Sequence, residues 1–298
     1  MMISGMARWS VLLTVVVGCG GSDDKAPPDK GICDGYLAEG EVVVVAEGLE
    51  KSEGLTFSPD GRLFVSAGDI VAEIQPDGTW ASVADLEEGV GLAWWGDALY
   101  GAGRMDDLGT VSRIDVDTGE VTHLSTEIES SNFLTVTPWD TLLVSDADEM
   151  IWEVQPDGTT AEWLAFSGPN GTAFTEDESA LWVVATWDSP APVAQIAVDG
   201  QAAGALTELH AYDGGNFPDG VALGASGDLY VSLNLTGLVS RVTSDGVESM
   251  VAEGVDYTAS LAFGEGDDWD PCAVYSSSLF SDKVYAVGVG ETGLTPLR

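Results

Sequence analysis

Glu53, Asn170 and Asp219 each head a similar short phrase: one oxygen-bearing side chain, one glycine, then an apolar run. The phrases read Glu53-Gly54-Leu55-Thr56-Phe57, Asn170-Gly171-Thr172-Ala173-Phe174 and Asp219-Gly220-Val221-Ala222-Leu223. Brought together, two carboxylates and an amide form a set of hard oxygen ligands, which is cation chemistry. Taken singly, each of these residues is a capping or turn residue. Pro-Asp-Gly occurs at Pro59, Pro76, Pro156 and Pro218, and the first three copies lie between strands as ordinary turns. Asp219 differs, because the apolar run Val221 to Leu223 follows directly and has its own turn at Ala225-Ser226-Gly227. It is the sharing of one register by all three that points to a site.

The register has degenerate copies at Val90, Asn132 and Ala259, so the heads stand at 53, 90, 132, 170, 219 and 259, in steps of 37, 42, 38, 49 and 40 residues. Each unit holds several short apolar runs separated by turns. In the first, Leu55 to Phe57, Leu63 to Ser66, Ile70 to Ile74 and Trp80 to Val83 are joined through Pro59-Asp60-Gly61 and Pro76-Asp77-Gly78. Proline presets φ in such a turn and glycine supplies the positive φ. Four short antiparallel strands per unit of about 40 residues describe a propeller blade. The expected fold is therefore all-β, a six-bladed propeller. The last unit offers only Leu261 to Phe263, Ala273 to Ser277 and Lys283 to Val287, while Glu41 to Ala46 is a strand without a local partner. That N-terminal strand should complete the last blade and remove an open edge.

In a propeller the first strand of every blade lines the central channel. The register therefore gathers Glu53, Val90, Asn132, Asn170, Asp219 and Ala259 into one ring with no Lys or Arg. Carboxylates held close together repel unless a cation lies between them. Oxygen ligands without His or Cys suit calcium first, with magnesium, manganese or zinc as alternatives.

Composition narrows the partners. The 298 residues carry 10 basic and 50 acidic side chains, a net charge of -40, which excludes a phosphate-binding surface for nucleic acid. Hydrophobic content of 45% is ample for a core. Arg8 followed by the short apolar run Trp9 to Val17 reads as a targeting signal, too short to span a bilayer. Its end, Val16-Val17-Gly18-Cys19, resembles a bacterial lipobox. The expected organisation is a signal over residues 1–18, lipidated Cys19 with a flexible tether over 19–34, and the propeller over 35–298. This implies a monomer at the bacterial cell envelope, periplasmic or surface-exposed, touching membrane only through its lipid. With Cys19 so used, Cys33 and Cys272 remain as an even pair in an oxidising compartment and should staple the N-terminal segment to the last blade.

The phrases resemble those of the gluconolactonase, senescence-marker-protein and luciferin-regenerating-enzyme family of six-bladed propellers. Ser52-Glu53-Gly54-Leu55-Thr56-Phe57 looks like its segment with a metal-binding glutamate, and Pro169-Asn170-Gly171-Thr172-Ala173-Phe174 like its metal-binding asparagine motif. Phe217-Pro218-Asp219-Gly220-Val221-Ala222, running on to Gly227-Asp228-Leu229-Tyr230-Val231, is similar to its most specific signature, and Ser260 to Gly264 to its last-blade segment. The resemblance spans about residues 40 to 298. It implies metal-dependent hydrolysis of a small lactone or related ester, with Asp219 as metal ligand and as general base or nucleophile, and Asn132 touching substrate. The third blade departs from the pattern. Ser130 stands where the family has arginine and Phe133 where it has aspartate. With Trp187, Phe133 suggests a pocket more apolar than a sugar site.

Two rival readings are a non-catalytic propeller rigidified by its metal, and a propeller enzyme of another substrate class, strictosidine-synthase-like or phosphotriesterase-like. The histidines offer no better catalytic set. His123 reads as part of an outer strand and His210 as part of a long connection before Asp219. The acidic stretches Asp115 to Glu120 and Glu265 to Asp270 lack the ligand ladder of a calcium loop and read as solvated hairpins.

Overall fold

Each unit of the repeat becomes one four-stranded antiparallel sheet in the computed structural model, which describes residues 30–105 and 108–298. The apolar run Trp9 to Val17 and Cys19 lie outside the described residues. Among the described residues, helix is confined to two 3-10 turns, Lys30–Cys33 and Asn234–Thr236. The last residues of the expected tether are thus part of the folded body.

The innermost strands are Ser52–Phe57, Leu92–Trp95, Ser131–Val136, Pro169–Phe174, Pro218–Leu223 and Thr258–Phe263. Successive inner strands touch all the way round, the last against the first, so six blades close one ring. The glycines of the Pro-Asp-Gly turns take the positive φ that such turns require, 82° at Gly78 and 86° at Gly158.

Burial falls off outward along each blade. The second strands Leu63–Ala67 and Leu229–Leu233 are buried at every position, whereas the fourth strand Trp80–Asp85 is mostly exposed. The core lies between neighbouring blades. Where the last blade meets the first, Phe57, Trp269 and Tyr275 pack edge-on, with ring centroids 5.3 to 5.6 Å apart.

Closure follows the sequence expectation. Val42–Glu47 pairs antiparallel with Lys283–Gly288, from Val42 opposite Val287 to Glu47 opposite Lys283. A disulfide joins Cys33 to Cys272 across 239 residues of chain, with Cα atoms 5.7 Å apart. Strand pairing and the covalent bond therefore hold the same junction.

The longest departure from expectation is in blade four. Ala202–Tyr212 is a strand of 11 residues, so His210 belongs to the outer edge of the blade and not to a connection, and it packs edge-on against Tyr212. His123 sits on the outer strand Glu120–Ser125, as expected, with Nδ1 2.9 Å from Ser112 Oγ. Asp115 is a hairpin residue, since its Oδ1 accepts from the backbone N–H groups of Asp117 and Thr118.

Candidate metal centre

All six inner strands run in the same direction along the channel, so their first residues share one end. Five of them break register at that point: the ladder to the second strand slips between Ser52 and Leu55, Ser131 and Leu134, Pro169 and Thr172, Pro218 and Val221, and Thr258 and Leu261. The residues inside each slip are the head of the phrase and its follower. Such bulges re-aim side chains and commonly border active sites.

The backbone groups freed by the slip bond elsewhere. In four blades a serine of the second strand supplies the partner. Gly54 N–H donates to Ser66 Oγ at 2.8 Å, Phe133 N–H to Ser145 Oγ at 2.9 Å, and Ser260 N–H to Ser277 Oγ at 3.0 Å, while Ser232 Oγ donates to Gly220 O at 3.0 Å. These hydroxyls also reach across to the next blade. Ser66 Oγ donates to Val90 O at 2.6 Å, Ser232 Oγ to Ala259 O, and Ser277 Oγ to Glu53 O. The head residues are thus tied laterally into a ring.

The glycine after the head has a steric reason. A Cβ on Gly54 would stand 2.0 Å from Val90 O, and one on Gly171 2.6 Å from Asp219 O. Backbone meets backbone there, so nothing can yield cheaply. Gly54→Ala should lower stability by about 3 kcal/mol, read as a shift in denaturant midpoint, and should weaken any calcium-induced stabilisation in parallel.

The structure brings Glu53, Asn170 and Asp219 together. Asp219 is 8% exposed and Asn170 5%. Burial pushes the Glu53 carboxyl up to about 8, with the charge of Asp219 as the second cause. Burial likewise pushes Asp219 up to about 7, against hydrogen bonds from Asn234 and Asn170 that favour its ionised form. The two carboxyls titrate as one unit, and the first proton bound belongs to the pair.

Asn234 was not singled out in the sequence, yet its Nδ2 donates to Asp219 Oδ2 at 2.9 Å. The only sequence signal for it was its place three residues beyond Val231, where the Asp219 motif ends. Thr186 Oγ1 accepts from Asn170 Nδ2 at 2.9 Å and donates to Pro218 O at 2.6 Å. This fixes the amide and leaves Asn170 Oδ1 buried without a hydrogen-bond partner.

An orphaned buried carbonyl oxygen beside two desolvated carboxyls is a poor arrangement for an apolar core and a good one for a cation. Among the described residues no three His, Cys, Asp or Glu side chains gather, so amide oxygen would have to complete the set. That donor set fits a hard divalent cation. Asn132 stands in the same register, partly exposed. Phe133 does not line the mouth above this ring. It lines a cavity of about 360 Å³ on the other side, running past Thr56, Thr135 and Ala173 to the far end of the channel. Residues 294–298 lie across that end, with Leu294 N–H donating to Leu223 O at 2.8 Å and Arg298 paired with Glu265.

Residues 144–271 match the family described as SMP-30/Gluconolactonase/LRE-like region. The matched region holds Asn170 and Asp219 and stops short of Glu53 and Asn132. No curated protein matches the chain. Among solved structures, a gluconolactonase from Xanthomonas campestris is 18% identical, with a TM-score of 0.72 over 83% of this chain and 89% of that one. A calcium-binding protein, regucalcin, from Agrobacterium tumefaciens is 20% identical, with a TM-score of 0.71 over 88% of this chain and 99% of that one. A luciferin-regenerating enzyme is 13% identical, with a TM-score of 0.71 over 87% and 98%. At such identities the likeness is one of fold. Two of the three residues that the ring brings together, Asn170 and Asp219, lie within the matched region.

Proposed function

We propose that the chain hydrolyses a neutral lactone or related ester at a divalent-cation centre held by Glu53, Asn170 and Asp219, with calcium the best-fitting ion. The observation that carries this reading is the orphaned Asn170 Oδ1 beside two desolvated carboxyls. The matched family region and the calcium-binding protein among its structural neighbours support it.

When bound there, a divalent cation supplies Lewis-acid polarisation of the substrate carbonyl and offsets the oxyanion's charge. Asp219 takes a proton from the attacking water. The water oxygen bonds to the carbonyl carbon, the acyl C–O bond breaks, and the proton returns from Asp219 to the leaving alkoxide oxygen. Asn234 orients Asp219 through Oδ2, so positioning contributes alongside basicity. Glu53 and Asn170 hold the centre, and Asn132 lies in the ring where it can touch substrate. The hydroxy acid released is an anion, and a molecule of net charge -40 disfavours retaining it.

The test is a panel of neutral lactones and aryl esters assayed after chelation and again after calcium is restored. Hydrolysis that disappears with chelator and returns with calcium is the expected result. Calcium-dependent stabilisation with no hydrolysis of any substrate would establish the metal-rigidified scaffold instead. Hydrolysis indifferent to chelator would overturn the cation-centre reading.

A further inference from the structure

The mouth above the ring has two unlike halves. The backbone two residues before the head turns left-handed in five blades: Lys51 at φ 56°, Glu88 at 42°, Gly168 at 56°, Phe217 at 52° and Tyr257 at 53°. Over Glu53, Val90 and Asn132 the corresponding residues are Lys51, Glu88 and Ser130, with Glu88 paired to Arg104 at 3.0 Å and Ser130 donating to Asp148 at 3.3 Å. Over Asn170, Asp219 and Ala259 the corresponding residues are Gly168, Phe217 and Tyr257, with the Asp188 carboxylate held by Ser167 Oγ at 2.9 Å. A left-handed backbone costs a non-glycine residue roughly 1–2 kcal/mol. Blade four avoids that cost with Gly168, whereas blades five and six place aromatic rings there. Blades one and two carry Lys51 and Glu88 in the same conformation, so it belongs to the repeat, and what distinguishes the halves is the side chain held there.

Three further apolar side chains extend the half over Asn170, Asp219 and Ala259. Trp187 follows Thr186, whose hydroxyl bridges Asn170 and Pro218, and its ring packs edge-on against Phe217 at 5.6 Å. Leu235 follows Asn234, the residue that orients Asp219. Phe280 packs edge-on against Tyr257 at 5.4 Å. Trp187 is 66% exposed, Phe280 65%, Leu235 51% and Tyr257 40%. Large apolar side chains this exposed, clustered in two ring pairs with Leu235, mark a binding surface, and they adjoin the ring: Trp187 follows the partner of Asn170, Leu235 follows the partner of Asp219, and Phe280 packs on Tyr257, two residues before Ala259.

We infer that this crescent binds the apolar arm of the substrate, so that the proposed hydrolase acts on neutral lactones or esters bearing an alkyl or aryl substituent rather than on polyhydroxy ones. The inference rests on the hydrolase reading for the reaction but not for the binding. Charge bears on the ligand's net charge alone and disfavours anions. The mouth leads to two carboxyls on a chain of net charge -40, so an uncharged ligand with an apolar arm meets no penalty there, whereas an anionic one does. Aromatic edges and faces offer area to an alkyl or aryl group and few hydrogen bonds to a row of hydroxyls.

The experiment uses γ-lactones with side chains from methyl to octyl, a polyhydroxy lactone, and the matching non-hydrolysable alkyl lactams as binding probes in calorimetry. On the wild-type protein, kcat/KM and lactam affinity should each rise about twofold per methylene, half the logarithmic effect of full burial (about fourfold), because an open surface covers only one side of the arm. In the Trp187→Ala, Phe280→Ala double variant this dependence on length should be lost, while calcium-dependent stabilisation on the same sample reports an intact ring. A preference for the polyhydroxy lactone, or length-independent affinity in the wild type, overturns the proposal. If no lactone is hydrolysed, the hydrolase reading fails, and the lactam series still decides the surface. A double variant that keeps the dependence on length but loses self-association or binding to neutral phosphatidylcholine vesicles assigns the crescent to a second copy or a lipid surface and also overturns it.

Discussion

Asp219→Ala should lower kcat/KM for any hydrolysed substrate by at least about a thousandfold and abolish calcium-induced stabilisation in the same protein. Both effects are expected because one side chain serves two roles. Asp219 is buried beside Glu53, is oriented by Asn234, and belongs to the cluster that includes the orphaned oxygen of Asn170. The alanine variant removes ligand and base together. Asp219→Asn separates them, since an amide oxygen can still ligate but cannot take a proton. It should retain a weakened calcium-induced shift in melting temperature while losing hydrolysis. Asn234→Ala leaves the carboxylate in place but frees its orientation, so kcat should fall with a smaller effect on calcium affinity. A wild-type rate in Asp219→Asn would remove the general-base role.

The second large effect is on stability against pH. Both Glu53 and Asp219 have carboxyls raised in the folded state, Glu53 to about 8 and Asp219 to about 7. A raised acid binds its proton more tightly folded than unfolded. Its contribution is therefore fully present below the ordinary carboxylate range near 4 and is lost as pH rises through 7 to 8. In chelator, melting temperature should fall between pH 5 and pH 8, by on the order of 10 °C. On the proposed reading calcium takes the deprotonated pair, so its stabilisation should be small at pH 5 and largest at pH 8. General repulsion among 50 acidic residues acts in the same direction. Glu53→Gln separates the two contributions, because it removes half of the pair and almost none of the surface charge. In moderate salt, which screens exposed charges, its chelated melting curve should be flatter across this range and its response to calcium much smaller. Identical pH profiles for wild type and Glu53→Gln would show that the pair carries no such linkage.

Much of this was legible in the chain because the repeat is written in strong signals. Pro-Asp-Gly turns, short apolar runs and an unpartnered strand at Glu41 to Ala46 specified the six blades and their closure. The glycines after Glu53, Asn170 and Asp219 were equally visible, and the close approach of neighbouring inner strands explains them. Other features carry no local signal. Asn234 sits in a 3-10 turn and meets Asp219 only through the fold. His210 was misplaced because Ala202–Tyr212 is largely exposed and so lacks the alternation that marks a half-buried strand. Phe217 and Tyr257 adopt a backbone conformation that aromatic residues seldom take, so composition argued against it. Phe133 does line an apolar cavity, but with Leu134, Thr135 and Val136 toward the far end of the channel, a placement that its neighbour Asn132 does not signal because both lie inside the register slip.

The register slip at the head of the inner strands has a consequence for substitution. A residue inside the slip makes no ladder hydrogen bonds, and the serines of the second strand hold its backbone rather than its side chain. The two positions inside the slip differ: the follower is glycine where the next inner strand's backbone comes close, as at Gly54 and Gly171, whereas the head carries Glu53, Asn132, Asn170, Asp219 or Ala259 at the same backbone station. Ala259 is a slipped station of the ring with no polar side chain and Asn132 one that carries no charge, while Val90 stands just before Leu92–Trp95, the one inner strand without a slip, its N–H donating to Ala102 O at 2.9 Å. On the proposed reading, a carboxylate at the partly exposed Asn132 changes the charge of the ring in one step, whereas one at the fully buried Ala259 has first to be desolvated. The charge of the ring is thus written in the head side chains rather than in the geometry of the blades, and a substitution at a head can change it without redrawing the sheet beneath.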